Sequence, residues 1–272
     1  MGVRFCVLGS GSSGNAVLIS TPHGDLLIDA GFSPDQLALR LKGTPSSWKT
    51  IGAMLLTHTH ADHLKRRTLR AAAENGARFF CHEEHVHSLG RSARKLTADG
   101  LLVPYRAEAF EAMPGVRVAP IELPHDAPPT FGFRIDIANG GPRAISIGYL
   151  VDLGHWTDEM LAEVRDVDLL ALEFNHDEQL ERDSNRHPKL IQRVLGRYGH
   201  LSNKQAAEAF EQHLDSSANG GPKFLIQMHL SEDCNRPELA YRAAREVADR
   251  RGVATQVFSS RQDVRGSMHL VG

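Results

Sequence analysis

Ile51-Gly52-Ala53-Met54-Leu55-Leu56-Thr57-His58-Thr59-His60-Ala61-Asp62-His63 decides the reading of this chain. Ile51 to Leu56 is a near-continuous apolar run, the pattern of a strand covered on both faces. His58 and His60 stand two apart on the loop that leaves it, so both rings can reach one point. Asp62 and His63 fall where a helix would begin. Imidazole and carboxylate together suit zinc, iron and manganese. Four candidate ligands within six residues exceed the needs of one structural zinc, which gathers ligands from separated pairs. They fit two adjacent divalent metals. The competing reading is a histidine-rich surface loop; buried strand ends rarely carry such clusters without a function.

Composition sets the context for this cluster. A chain of 272 residues suffices for one large domain or two small ones, and 41% hydrophobic content can bury a substantial core. The formal charge of −2 does not advertise a nucleic-acid or membrane partner. Cys6, Cys81 and Cys234 are far apart and form no CxxC pair, which argues against a secreted disulfide framework. Met1 to Leu8 lacks the form of a signal peptide, and no apolar run reaches membrane-spanning length. A cytoplasmic location without a membrane partner is therefore expected. Histidine, with 15 copies, is the outlier.

Outward from residue 51, strand-like and helical pieces alternate. Val3 to Leu8, Ala16 to Ser20, Asp25 to Asp29 and Arg78 to Cys81 read as strands; Pro34 to Lys42 and Arg66 to Asn75 read as helices. Beyond Gly115, strands are expected at Val116–Leu123, Phe131–Ala138, Arg143–Ile147, Leu169–Phe174 and Lys223–Met228. Asn139-Gly140-Gly141 supplies a hairpin turn. Helices are expected at Asp158–Val164, Pro188–Arg197, Lys204–His213 and Pro237–Arg251. Two batches of strands, each with helices, predict an α+β chain with two mixed sheets packed face to face and helices outside. A doubly wound single sheet is the alternative, and the hairpins speak against a purely parallel one. Residues 1–272 are read as a single domain of two αβ halves, about 1–114 and 115–272.

The HxHxDH pattern resembles the signature of the metallo-β-lactamase superfamily, which implies a four-layer αββα sandwich. Leu26-Leu27-Ile28-Asp29-Ala30-Gly31 looks like that superfamily's early LIDxG strand. The resemblance implies further ligands at His125, Asp152 and His229, each just past an expected strand. Carried over, His58, His60 and His125 would hold one metal, Asp62, His63 and His229 the other, and Asp152 would bridge them. Five more motifs are similar to the YycJ/WalJ-like branch: Ser10-Gly11-Ser12-Ser13-Gly14-Asn15, His125-Asp126-Ala127, Asn175-His176-Asp177, Gly199-His200-Leu201-Ser202-Asn203 and His229-Leu230-Ser231. Two departures are Val151 before Asp152, where Thr or Ser is expected, and Phe174 after Glu173, where Ser is expected.

That branch implies a metal-dependent phosphodiesterase of the DNA exonuclease type, with a nucleic-acid or other phosphodiester substrate. A water between two metals has a lowered pKa and becomes the nucleophile near neutral pH. Asp62 orients or deprotonates it. The layout is also similar to RNase Z, which places His200 as a general acid or phosphate contact; fixing the loop is the competing role for it. Ser12, Asn15, Asn175, His176 and Asn203 are candidate substrate contacts. Hydrolysis of a small ester, thioester or lactam is the alternative activity. A metal-bound sensor or scaffold is disfavoured because Asp62 is present.

Other signals carry less. Gly9-Ser10-Gly11-Ser12-Ser13-Gly14 matches GxGxxG, but a strand follows it instead of a helix, so a dinucleotide site is rejected. Cys81-His82-Glu83-Glu84-His85-Val86-His87 reads as a strand end and a solvated helix. Lys65, Arg66, Arg67 and Arg70, with Arg182, Arg186, Lys189, Arg193 and Arg197, include residues that could line a phosphate path.

Overall fold

Apolar runs of five or six residues become strands here because both of their faces are covered. The computed structural model describes residues 2–127 and 129–272. Its strands are β1 (Arg4–Gly9), β2 (Ala16–Thr21), β3 (Gly24–Ile28), β4 (Ile51–Leu55), β5 (Arg78–His82), β6 (Leu102–Tyr105), β7 (Phe110–Met113), β8 (Val116–Leu123), β9 (Thr130–Ile137), β10 (Ile145–Leu150), β11 (Leu169–Glu173), β12 (Phe224–Met228), β13 (Gln256–Ser259) and β14 (Met268–Leu270). They form two seven-stranded sheets, in the orders β14-β1-β2-β3-β4-β5-β6 and β13-β12-β11-β10-β9-β8-β7. Each is mixed: β1, β2, β3 and β14 pair antiparallel, whereas β3 to β6 run parallel. In the second sheet β7 and β8 are antiparallel and β10 to β13 parallel. Every residue of β10, β11 and β12 is buried, as parallel strands beneath helices require.

The helices are α1 (Pro34–Leu41), α2 (Arg66–Glu74), α3 (Arg91–Ala98), α4 (Asp158–Glu163), α5 (Glu178–Arg182), α6 (Pro188–Val194), α7 (Asn203–Ser216) and α8 (Pro237–Arg251). Glu83–Leu89 is a 3-10 helix, where a solvated helix was expected. Polar side chains set several starts. Ser33 and Ser202 each close a capping box, with Gln36 and Gln205, satisfying N–H groups that a helix start leaves bare. The expected helix over 188–197 stops at Val194, because the chain turns through Gly196 and Gly199. A Cβ on Gly199 would lie 2.2 Å from the carbonyl oxygens of Arg193 and Val194.

The chain separates into two compact units: residues up to Pro120 with Asp136–Ile145 and Gln262–Gly272, and Ile121–Ile135 with Ser146–Arg261. The first has a core of Leu8, Leu18, Leu27, Met54, Leu69 and Phe79. The second has one of Leu150, Leu170, Leu172, Phe174, Phe210 and Leu225. No helix among the described residues is long and apolar enough to cross a membrane.

His213, buried on α7, gives the fold a pH limit. Burial holds its ring down to about 4, against an ordinary 6.5, with the Asp166 charge opposing the shift. The folded chain thus keeps the ring neutral, while the unfolded chain protonates it. That stability is fully present above pH 6.5 and is lost as pH falls toward 4, about 3 kcal/mol in all. Urea midpoints measured across that window should fall for the wild type and fall less for His213→Leu. Equal slopes would place the loss in other groups.

Candidate metal centre

Within each unit, several of the sequence-expected site residues lie at the carboxyl ends of parallel strands, where open α/β sheets present ligands. Asp29 follows β3, His58 lies past β4, Asp152 past β10 and His229 directly after β12; Glu173 ends β11. Asp29, Asp152 and His229 have positive φ, at 62°, 64° and 55°. L side chains are costly there, and such strain clusters at functional sites. Asp166 shares the conformation at φ 58° and caps the Ala218 N–H at 2.7 Å.

In the first unit, the parallel register of β3 and β4 sets Asp29 beside Thr57. The Asp29 carboxylate accepts from the Thr57 N–H (2.9 Å) and hydroxyl (3.0 and 3.1 Å) and from His63 Nδ1 (2.7 Å). With its hydroxyl proton on Asp29, Thr57 Oγ1 accepts from His58 Nδ1 at 3.0 Å. Burial pushes the Asp29 carboxyl up, against the His63 charge and these hydrogen bonds. Both histidines are thereby held through Nδ1, which makes Nε2 the lone-pair nitrogen. The His58 ring lies 4.7 Å from that of His60 and 4.2 Å from that of His63.

Asn15 closes this cluster. Its Nδ2 donates to His63 Nε2 at 2.9 Å and lies 3.4 Å from Asp62 Oδ2. A divalent cation would take these same lone pairs. The Asn15 N–H donates to the Asp62 carbonyl (2.7 Å), and Gly31 N–H to the Asn15 carbonyl (2.9 Å). Only glycine fits at 31: a Cβ would come within 1.8 Å of the Asp62 carbonyl oxygen.

In the second unit, Glu173 is the hub. Its Oε1 accepts from His200 Nδ1 (2.8 Å) and His229 Nδ1 (3.0 Å). Its Oε2 accepts from the Leu153 and Leu201 N–H groups at 3.1 and 3.2 Å. Burial works to raise its pKa, but the His200 charge and the two imidazole hydrogen bonds outweigh it and hold the carboxyl down to about 2. Asp152 Oδ1 lies 3.2 Å from His229 Nδ1 and 3.4 Å from His200 Nδ1. Ligand atoms of Asp152, Glu173, His200 and His229 all fall within 4.8 Å of one another, a donor set that suits a metal ion. His125 donates Nδ1–H to the Gly199 carbonyl at 3.1 Å. Its Nε2 then faces Asp126 Oδ1 at 3.3 Å, an arrangement of electron-rich atoms that a cation or proton stabilises. The His200 ring lies 5.1 Å from that of His125 and 5.2 Å from that of His229.

The candidate substrate contacts divide by burial. Ser12 is exposed, whereas Asn15, Asn175, His176 and Asn203 are buried. Asn175 Nδ2 donates to the His229 carbonyl at 2.8 Å. Asn203 and Asn235 exchange amide hydrogen bonds at 2.8 and 3.0 Å, and Asn235 also donates to the Phe174 and Asn175 carbonyls. These asparagines brace the loop that carries His229. Burial lowers the His176 pKa. Of the expected basic residues, Arg186 is engaged by Glu181 (3.0 Å), Asp233 (2.9 Å) and Ser231 (3.2 Å), and Arg193 forms a bidentate pair with Asp126. No ligand-atom cluster is found at Cys81–His87 among the described residues.

Glu173 and Asn235 do not stand out as site residues in the sequence reading, and Asp29 does so only within its motif. Glu173 carries a signal close to the one that found the others, a charged residue closing an apolar strand.

A family model described as the beta-lactamase superfamily domain matches residues 16–218. The chain is 28% identical over 244 residues to exodeoxyribonuclease WalJ of Streptococcus pneumoniae serotype 2, covering 89% of this chain and 86% of that one. It is 26% identical over 253 residues to exodeoxyribonuclease YycJ of Bacillus anthracis, covering 93% and 91%. The metallo-beta-lactamase fold protein YhfI of Bacillus subtilis superposes with a TM-score of 0.69 at 14% identity, over 98% of this chain and 100% of that one.

Proposed function

The chain belongs to the beta-lactamase superfamily, and from that premise we propose that it is a dinuclear metal-dependent phosphodiesterase that degrades DNA as an exonuclease. The proposed ligands are His58, His60, Asp62 and His63 of the first unit and His125, Asp152 and His229 of the second. Zinc, manganese and iron all suit them. One observation carries the reading. Among the proposed ligands, His58, His63, His125 and His229 each have Nδ1 held by a protein oxygen, as metal-binding histidines do. The phosphodiester choice draws on the two relatives named exodeoxyribonucleases, which align over about nine-tenths of the chain.

Bound there, two divalent ions would supply Lewis-acid charge and a water of lowered pKa as nucleophile. Asp62 would be the residue to orient that water and accept its proton. Glu173 holds the His200 Nδ1–H, so the ring can carry positive charge toward a phosphoryl oxygen or protonate the leaving one. Asn15, Asn175 and Asn203 keep the ligand loops in place, and Ser12 remains the exposed candidate for a substrate contact.

Metal-loaded protein should hydrolyse 5′-labelled DNA and bis(p-nitrophenyl) phosphate, and leave S-lactoylglutathione and a β-lactam intact. Cleavage of only the last two would overturn the proposal. His200→Ala should keep its metal and lose about 10²-fold or more in turnover. Full turnover would remove His200 from the mechanism.

A further inference from the structure

Three loops of the second unit seat on one another beside His125 and His200. The loop after β10 brings Gly154 against the 193–200 turn; a Cβ there would meet the Arg197 carbonyl oxygen at 2.2 Å. The Gly154 N–H donates to the Pro124 carbonyl at 2.9 Å, and the His200 N–H to that of Val194 at 3.0 Å. His155 Nδ1 donates to the Arg197 carbonyl at 3.0 Å. These contacts leave the main chain of the turn little freedom.

Of the four tyrosines, Tyr105 and Tyr149 are buried, Tyr241 on α8 is 45% exposed, and Tyr198 is 57% exposed, two residues before His200. Its ring meets that of His155 edge-on, with centroids 6.4 Å apart. Arg193 and Arg197 are exposed on the same turn. Arg193 is aimed by its pairing with Asp126, the neighbour of His125.

From this geometry we infer that the turn is the strand-binding ledge of the enzyme. A base of a single-stranded polynucleotide end stacks on Tyr198, braced by His155, and Arg193 and Arg197 take the adjoining phosphates. Exposed aromatic faces flanked by guanidinium groups hold single strands in this way without reading sequence. A strand seated there runs toward His200. The inference rests on the phosphodiesterase reading.

The test compares kcat/KM for a single-stranded oligonucleotide with kcat/KM for bis(p-nitrophenyl) phosphate, which has no base or flanking phosphate to seat. In Tyr198→Ala the ratio should drop about tenfold. Tyr198→Phe and Tyr198→Trp should restore it. Arg197→Ala should flatten the salt dependence of oligonucleotide cleavage by about 0.7 in log–log slope. Wild-type protein that cleaves neither substrate would fail the phosphodiesterase reading itself. Active wild type with an unmoved ratio in Tyr198→Ala would overturn the ledge alone, as would an equal drop in Tyr198→Phe. Equal loss on both substrates would mean that Tyr198 only supports the His200 turn, and would also overturn it.

Discussion

His58→Ala is expected to lose about 10³-fold or more in kcat/KM and to bind less metal per chain than the wild type. The magnitude follows from the several kcal/mol of charge stabilisation that a bound metal contributes, at 1.36 kcal/mol per tenfold in rate. The His58 ring is aimed by a relay: Asp29 holds the Thr57 hydroxyl, and Thr57 Oγ1 holds His58 Nδ1. Removing the ring takes away the nitrogen that the relay positions and leaves the relay itself. Elemental analysis and circular dichroism on the same sample separate metal loss from unfolding. A folded His58→Ala protein with full metal content and full rate would refute the ligand assignment.

Glu173→Gln should be nearly as damaging, for a different reason. The carboxylate has four donors around it, two imidazoles on Oε1 and two backbone N–H groups on Oε2. A glutamine offers one oxygen, so an amide NH₂ must face one of these pairs of donors. The charge that supports the two imidazoles also goes. Metal affinity should fall 10- to 100-fold, the usual cost of losing a partner that orients a metal-binding histidine. Breaking a buried, charged network of this kind should also cost about 3 kcal/mol of stability. Metal titration and a urea transition read the two losses separately. Wild-type affinity together with wild-type stability would show that Glu173 is not the hub.

The strands that sequence reading located are the inner ones. Those it did not separate out are β6, β7, β13 and β14, the four outer edges of the two sheets. Edge strands are short, half-open and free to carry proline, as β6 does at Pro104, so they lack a clear pattern. The metal-ligand candidates were legible for the opposite reason: a histidine or aspartate just past an apolar strand is conspicuous. Glu173 does not meet that criterion, being the last residue of β11 itself, and its role depends on residues 152, 200 and 229 converging around it, which no local pattern reports. Asp29 was visible in its motif. Its partners Thr57 and His63 follow only from the register that lays β3 beside β4. Asn203 and Asn235 likewise show their pairing only in space.

The left-handed backbone at Asp29, Asp152 and His229 is tolerated because of what their side chains hold. An L side chain in that region costs on the order of 1 kcal/mol, and glycine would relieve it. At Asp29 that relief would strip the buried Thr57 N–H and His63 Nδ1 of their carboxylate, a larger loss than the strain removed. A search for heat-resistant variants should therefore leave position 29 alone and find its stabilising changes elsewhere on the molecule.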